Sequence, residues 1–385
     1  MTQGELEKIP IPLQKIFIQL EQDIMSDVVD TIKKNGFSSQ STDYKINTLR
    51  QMGVGADEIE RKIQDALQLS DEEIEKTLSD AAYEAWYLTE RFYKIRGFSA
   101  IPYEKNVVLQ SLTKAAILQV QKECHNLSQS YGFAFRDASG KIKYSPIRTA
   151  YNQIIDKSIL SIQTGAYSYD EALRRAVKAM TDSGIRYVDY ESDISTRADV
   201  AARRAIMTGF RQIQGHINEQ LAKDLGTDKY EVSWHSGARP DHQAWQGKVY
   251  TYDQLVSVCG LGTVTGLHGA NCYHDYVPFI EGLSTRVYTD EWLEEQNEKE
   301  NTPMEYNGKH YTRYQALQEQ RRRERQMRAQ RENITLMKKG KASKEAITQE
   351  KIKYKTQISG YRDFTKKMDL PDQLKRIYQD GLGTI

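Results

Sequence analysis

The chain has 385 residues, room for two or three domains at about 150 residues each. It is 39% hydrophobic and 28% charged, and 24 Tyr, 9 Phe and 4 Trp supply material for a core, which excludes wholesale disorder. Lys+Arg 54 against Asp+Glu 53 leaves a net charge of +1, so no protein-wide field draws the chain to DNA or to an anionic membrane.

At the N-terminus, MTQGELEKIPIP is acidic where a secretory signal is basic, and no apolar signal core follows it. Leu13, Ile16, Phe17, Leu20, Ile24, Val28 and Ile32 recur at three- and four-residue steps. They predict an amphipathic helix that stops at Asn35-Gly36. A shorter helix is predicted over residues 44–52, ended by Gly53. Ser70 and Glu73 form a Ser-x-x-Glu capping box, which predicts a new helix start running through Leu78 and Trp86 toward Arg91. The apolar run 107–120, after Pro102, predicts another helix. Phe133 and Phe135, then Ile142 and Tyr144, alternate with polar residues around a turn at 137–140, the pattern of a single hairpin inserted among helices. Ser168 and Glu171 repeat the capping box ahead of Leu173, Ala176, Val177 and Met180, and residues 196–221 read as an Ala- and Arg-rich helix.

The texture then changes. Residues 230–281 carry Gly237, Gly247, Gly260, Gly262, Gly266 and Gly269 with short apolar stretches and no helical period, which predicts a loop-rich unit with small strands. Asn307-Gly308, between Tyr306 and Lys309, suits a type I′ hairpin turn. Residues 315–355 predict one highly charged helix, and the last thirty residues a polar tail that frays. No run approaches the roughly 20 apolar residues of a membrane span. Cys124, Cys259 and Cys272 make no disulfide framework and fit a reducing compartment. The fold class expected is α+β, mainly helical. Its regions are 1–125 (N-terminal helices), 126–225 (helices with an inserted β-hairpin), 226–312 (a Gly/His/Trp-rich α+β domain) and 313–385 (a charged helix and tail).

Chemistry concentrates in the third region. Four of the 7 histidines, His235, His242, His268 and His274, fall there with Cys259, Cys272, Trp234 and Trp245. Three readings compete. Imidazole and thiolate are zinc ligands, so His235, His242, Cys272 and His274 could complete a structural tetrahedron, with Cys272 and His274 projecting from one face of a strand. No Cys-x-x-Cys accompanies them. Alternatively, Trp234, His235, Arg239, Pro240, His242, Trp245, Gly247, Gly269, Asn271, Cys272 and His274 form a polar, cross-braced scaffold that satisfies loop backbone groups. Arg239 would then stack on a tryptophan or pair with Asp241. In the third reading Cys272 is a nucleophile or His with Asp241 a general base. The chain has no His-Glu-x-x-His, phosphate loop or Gly-x-Ser-x-Gly, and the surroundings of His268, Asn271 and Cys272 do not match an HNH nuclease. The scaffold reading leads, without catalytic residues and without a cofactor unless a structural zinc is bound.

A second candidate is the run Arg321, Arg322, Arg323 and Arg325, continued by Arg328 and Arg331. Glu319 and Glu324 offer helical partners, so a solvated charged helix is the first reading. Contact with nucleic-acid phosphate or an acidic protein surface is the second.

Val232-Ser-Trp-His235, Gly237-Ala-Arg-Pro240, His242, Trp245-Gln-Gly-Lys-Val-Tyr250, Gly266-Leu-His-Gly269 and Asn271-Cys272-Tyr-His274 resemble the signature of the phage minor capsid protein 2 family of tailed phages and prophages of Gram-positive bacteria. The resemblance takes in the helix from Arg197 to Gly215, the Tyr306–Lys309 turn, the Gln/Arg-rich helix and the N-terminal helices. A fainter likeness reaches head morphogenesis proteins of the Mu F type. One position departs: Tyr273 stands where the family carries Arg, so any pairing role of that arginine is lost or passed to Arg239. The resemblance implies a non-enzymatic virion protein, made in the bacterial cytoplasm and placed in the phage head in a few copies. Its implied partners are the portal and the major capsid or scaffolding proteins, with packaged DNA met through the Arg-rich helix and no membrane. Assembly, DNA packaging or ejection is the implied role. A metal-dependent hydrolase or nuclease carried in the virion is the alternative.

Overall fold

The structure, a computed structural model, describes residues 3–35, 42–95, 97–136, 139, 141–189 and 194–385. It is 66% helical with small antiparallel sheets, the class read from the sequence. The chain opens with α1 (Gln3–Leu6), α2 (Ile11–Asn35), α3 (Thr42–Ile95) and α4 (Val107–Ser128). Strands β1 (Tyr131–Arg136) and β2 (Ile142–Pro146) precede α5 (Ile147–Gln163) and α6 (Tyr169–Ser183). Next come β3 (Arg186–Asp189), β4 (Ile194–Arg197), α7 (Ala198–Asp224), β5 (Lys229–Val232), α8 (Pro240–Gln243), β6 (Val249–Thr251), α9 (Tyr252–Ser257) and β7 (Tyr276–Phe279). Helix α10 (Asp290–Asn301), the hairpin β8 (Met304–Tyr306) and β9 (Lys309–Tyr311), α11 (Arg313–Lys339), α12 (Lys344–Lys367) and α13 (Leu374–Ile377) complete it. No described helix is long and apolar enough to cross a membrane.

Several local signals behave as expected. The Ser168 hydroxyl caps α6 by accepting the Glu171 N–H, and Asn307 and Gly308 take the two positive φ values, 51° and 74°, of a type I′ turn. Others are corrected. Gly53 ends no helix and Ser70 opens none, because α3 runs unbroken through both. Ser70 is fully buried and its hydroxyl turns back onto the Leu67 carbonyl at 2.7 Å, as a serine does inside a helix. A glycine costs about 1 kcal/mol in a helix. The buried stripe Ile59, Ile63, Leu67, Ile74 and Leu78 offsets that cost.

The hairpin of β1 and β2 forms, with Phe133 opposite Ser145 and Phe135 opposite Lys143. Of its predicted turn, residues 137, 138 and 140 lie outside those described, as does Gly36 at the predicted stop of α2. This hairpin is not alone, however. A second, β3 with β4, extends it to a four-stranded sheet of order β2-β1-β3-β4. Each added strand has only four residues, too few for an alternation to show, and Thr196 belongs to β4 rather than to a helix. The single charged helix of residues 315–355 is in fact two. Lys341 takes a left-handed φ of 57° and Ser343 caps α12 at the Ala346 N–H. The tail does not fray: Ile377 and Asp380 are buried.

The chain divides into two compact units. One comprises the described parts of Met1–Pro12, Asp71–Glu123 and Arg203–Glu319; the other those of Leu13–Ser70, Cys124–Ala202 and Gln320–Ile385. In the first, β5 lies between β6 and β7, all antiparallel. Its core gathers Tyr230, Val232, Trp245, Leu255, Cys259, Leu267, Cys272 and Tyr276. Helix α7 lies close behind: a Cβ on Gly215 would sit 2.9 Å from the Tyr276 hydroxyl, and one on Gly209 2.7 Å from Val120 of α4. In the second unit Met327, Ile334, Tyr354, Tyr361 and Ile377 form a cluster among α11, α12 and α13. Gly340 packs at contact distance on Leu173 and Val29, so its missing side chain lets α2, α6 and the end of α11 converge.

Candidate functional site

The histidine block folds around the sheet of the first unit. Strands β5 and β7 are stapled just past their ends, where Ser233 N–H donates to the Asp275 carbonyl (2.8 Å) and Asp275 N–H to the Ser233 hydroxyl (2.9 Å). Pro240 occupies the first turn of α8, the helix position it suits, and that short helix turns His242 inward. The loop from Cys259 to Asp275 makes two left-handed steps at non-glycine residues, His268 (φ 62°) and Asn271 (φ 59°). Such conformations persist only where surrounding contacts impose them. Here they aim Cys272 and His274 at His242.

Three donor atoms converge in this centre. His242 Nδ1 lies 3.3 Å from His274 Nδ1, and Cys272 Sγ 3.4 Å from the same nitrogen. All three lie within 4.8 Å of one another, and all three residues are buried. The far side of each ring is held by an oxygen. His274 Nε2 meets Gln246 Oε1 at 2.9 Å, and that oxygen also accepts the His235 backbone N–H at 3.2 Å. His242 Nε2 meets the Thr265 carbonyl at 2.8 Å, with Arg239 Nη2 2.5 Å away. Trp245 flanks both rings, its centroid 4.4 Å from that of His242 and 4.7 Å from that of His274.

His235 stands apart from the three. Its ring lies on that of His274 at 4.1 Å, and its Nδ1 meets the Ser236 carbonyl at 3.1 Å. His268 also faces elsewhere, with Nε2 3.1 Å from Asp275 Oδ1. Burial lowers the pKa of His235, His242 and His268 and takes His274 well below the ordinary value, where the neighbouring His235 and His242 add to the effect. Burial raises the Cys272 thiol and pushes that of Cys259 up to about 12. Burial thus disfavours the Cys272 thiolate, the form in which a cysteine attacks. Asp241, the carboxylate offered as a general-base partner, is largely exposed, 4.0 Å from His242 Nε2 and 3.7 Å from Arg239 Nε.

The other motif residues brace the centre. Trp234 packs edge-on against Trp292 at 5.0 Å. Gly247 (φ 74°) leaves room for Leu293, which a Cβ would meet at 2.5 Å, and Gly269 passes within 2.6 Å of the Val264 and Thr263 carbonyls by the same measure. Asn271 Oδ1 accepts from Arg203 at 2.9 Å, and Arg203 also donates to the Tyr273 hydroxyl at 2.7 Å. The guanidinium at Tyr273 is therefore that of Arg203 and not of Arg239, which is engaged by Thr265 and His242.

Several supporting residues escaped the sequence reading. Gln246 joins His235 to His274. Asp275 receives Gln214 (2.5 Å) and Asn218 (3.2 Å), and Arg211 donates to Gln214 at 2.6 Å. Burial would raise Asp275, but the His268 hydrogen bond and the Arg211 charge hold it below its usual value. A signal existed: the partly buried Arg203 and the buried Arg211, Gln214 and Asn218 recur at helical spacing along one side of α7, a polar stripe among Ala, Ile and Phe.

In the second unit the arginine run divides by environment. Arg322 and Arg325 are exposed. Arg323 donates to the Gly360 carbonyl at 3.2 Å and lies over the Phe364 ring. Arg321, partly buried, stands near the buried Glu324. Arg328 faces Asp199 at 3.7 Å, and Arg331 is turned into the core.

No curated protein and no solved structure matches the chain. A family model does, that of phage minor capsid protein 2, over residues 1–366. That match runs through both units and the whole histidine block, and by it the chain belongs to the phage minor capsid protein 2 family, structural proteins of the phage head.

Proposed function

We propose that the chain acts in the phage head as an assembly component without turnover, docked at the portal or on the inner face of the shell, during head morphogenesis and DNA packaging or ejection. One observation carries this beyond family membership. The most distinctive motif turns inward: His242, Cys272 and His274 are 2%, 6% and 0% exposed, and their polar atoms meet partners inside the unit. Catalytic groups need a path to substrate; bracing groups do not. The exposed Arg322 and Arg325 on α11 are the side chains of the run that could meet packaged DNA. The partners on this reading are the portal and the major capsid or scaffolding proteins. The metal-dependent hydrolase remains a second reading because three metal-type donors do converge, but their burial argues against a substrate reaching them.

The test uses the phage or induced prophage that encodes the chain. Quantitative mass spectrometry of purified virions should find the chain at a few copies per head, and cross-linking should join it to portal or shell peptides. A deletion should leave heads that assemble wrongly or fill poorly. Absence from virions, together with normal filled heads from the deletion, would sink the proposal.

A further inference from the structure

We infer that His242 Nδ1, His274 Nδ1 and Cys272 Sγ form a binding site for one divalent transition-metal ion of the zinc class, oriented by Gln246 and Thr265. The argument begins with proton positions. Gln246 Oε1 accepts the His235 N–H, so the atom there is an oxygen and not the amide nitrogen. An oxygen can only accept, so His274 must carry its proton on Nε2, which leaves a bare lone pair on Nδ1. The Thr265 carbonyl, which also receives Arg239, is likewise an acceptor, and a proton donated to it from His242 Nε2 leaves His242 Nδ1 bare as well. Two lone pairs would then face each other at 3.3 Å inside a buried centre, beside a sulfur at 3.4 Å. Without a cation between them that arrangement is repulsive.

The distances match what a metal needs. Zinc–nitrogen bonds of about 2.0–2.1 Å and zinc–sulfur bonds of about 2.3 Å at a tetrahedral angle give edges of about 3.3 Å between nitrogens and about 3.6 Å from nitrogen to sulfur. Two of the three edges are 3.3 and 3.4 Å, and the third, from His242 to the Cys272 sulfur, lies within 4.8 Å. The outer contacts match too. Metal-bound imidazole characteristically donates its other N–H to a carbonyl or carboxylate, and both rings here have such an oxygen. On binding, the Cys272 S–H bond breaks, its proton passes to solvent and a metal–sulfur bond forms. With three protein ligands the fourth tetrahedral position is left to water, the open pattern, and Cys272 is among the residues lining a small cavity with Arg203, Arg211, Asn271 and Tyr273. His235 is not a ligand, since its ring stacks on His274 and its Nδ1 is engaged by Ser236.

A competing account needs no metal. If Arg239 donates to His242 Nε2, the His242 proton moves to Nδ1 and bridges the two rings. The experiment separates the two. The full chain is stripped with chelator, loaded with zinc or cobalt(II), desalted and assayed by plasma mass spectrometry. About one metal per chain should be retained, and the cobalt form should show tetrahedral ligand-field bands with a thiolate-to-cobalt band in the near ultraviolet. Cys272→Ser should abolish the thiolate band, and His274→Gln should reduce retained metal at least tenfold. His235→Gln should retain one metal, and Gln246→Leu should weaken affinity by about 10–100-fold. The cobalt spectrum of the unaltered chain keeps the test decisive if a variant fails to fold. No retained metal, cobalt bound without the thiolate band, or full retention by both Cys272→Ser and His274→Gln would each overturn the inference.

Discussion

Arg331 of α11 and Asp380 near the C-terminus meet in two hydrogen bonds, 2.6 Å from Nε and 3.1 Å from Nη2, with side chains only 2% and 1% exposed. Nη2 also donates to the Gly383 carbonyl at 2.7 Å, and the guanidinium lies over the Tyr378 ring. An arginine that the sequence groups with surface arginines is thus the anchor of the chain's last turn. Replacing one partner strands the other charge in the core, which typically costs about 3–5 kcal/mol. Arg331→Leu should therefore lower unfolding free energy by about that much and expose the C-terminal residues to protease. Denaturant unfolding checks this, and an Arg331→Leu protein as stable as the parent would contradict the buried pair.

Gly266 leaves no space for a side chain. A Cβ there would stand 2.0 Å from the Gly260 carbonyl oxygen, a backbone atom that cannot swing away. Gly266→Ala should cost about 1–3 kcal/mol or more and loosen the loop that presents Cys272. Gly360 of α12 makes the control: a Cβ there would meet the Arg323 guanidinium at 3.7 Å, an ordinary contact distance. Gly360→Ala should be neutral or stabilising, by up to about 1 kcal/mol. Thermal melts should show Gly266→Ala lowered and Gly360→Ala unchanged or raised.

Gln246 Oε1 accepts from both the His235 backbone and the His274 ring. Gln246→Leu keeps the volume but orphans two buried donors, each at about 1–3 kcal/mol. It should destabilise more than His235→Ala, which removes a stacked ring and one hydrogen bond. Equal losses in chemical denaturation would show that Gln246 is not the hub.

Glu332 supplies a pH dependence. Burial, reinforced by the nearby Glu21, lifts its carboxyl to about 8, and among the described residues its Oε2 has no hydrogen-bond partner. In the unfolded chain the group titrates near 4.5. Between those values the folded state holds a proton that the unfolded state lacks, so stability falls as pH rises from about 4.5 to about 8. Arg197 and Arg328 temper the cost without cancelling it. Glu332→Gln should flatten that slope and be the more stable protein at alkaline pH. Parallel pH–stability curves for the two would refute the assignment.

Local chemistry was legible in advance. The Ser168 cap, the Asn307-Gly308 turn and the apolar stripe of α2 depend on neighbours within a few residues, so the sequence by itself determined them, along with the concentration of His, Cys and Trp in one block. It also carried the family signature. Tertiary structure decided the rest, because contacts between distant residues overrule local signals. Ser70 reads as a cap until the stripe that buries it makes α3 continuous. β3 and β4 are too short to declare themselves and show as strands only once they pair with each other and with the edge of β1. Arg331 looks like its exposed neighbours until Asp380 arrives from 49 residues away. The centre follows the same logic: spacing could nominate His235, His242, Cys272 and His274 together, but only the loop's two left-handed steps select His242, Cys272 and His274 and turn His235 aside.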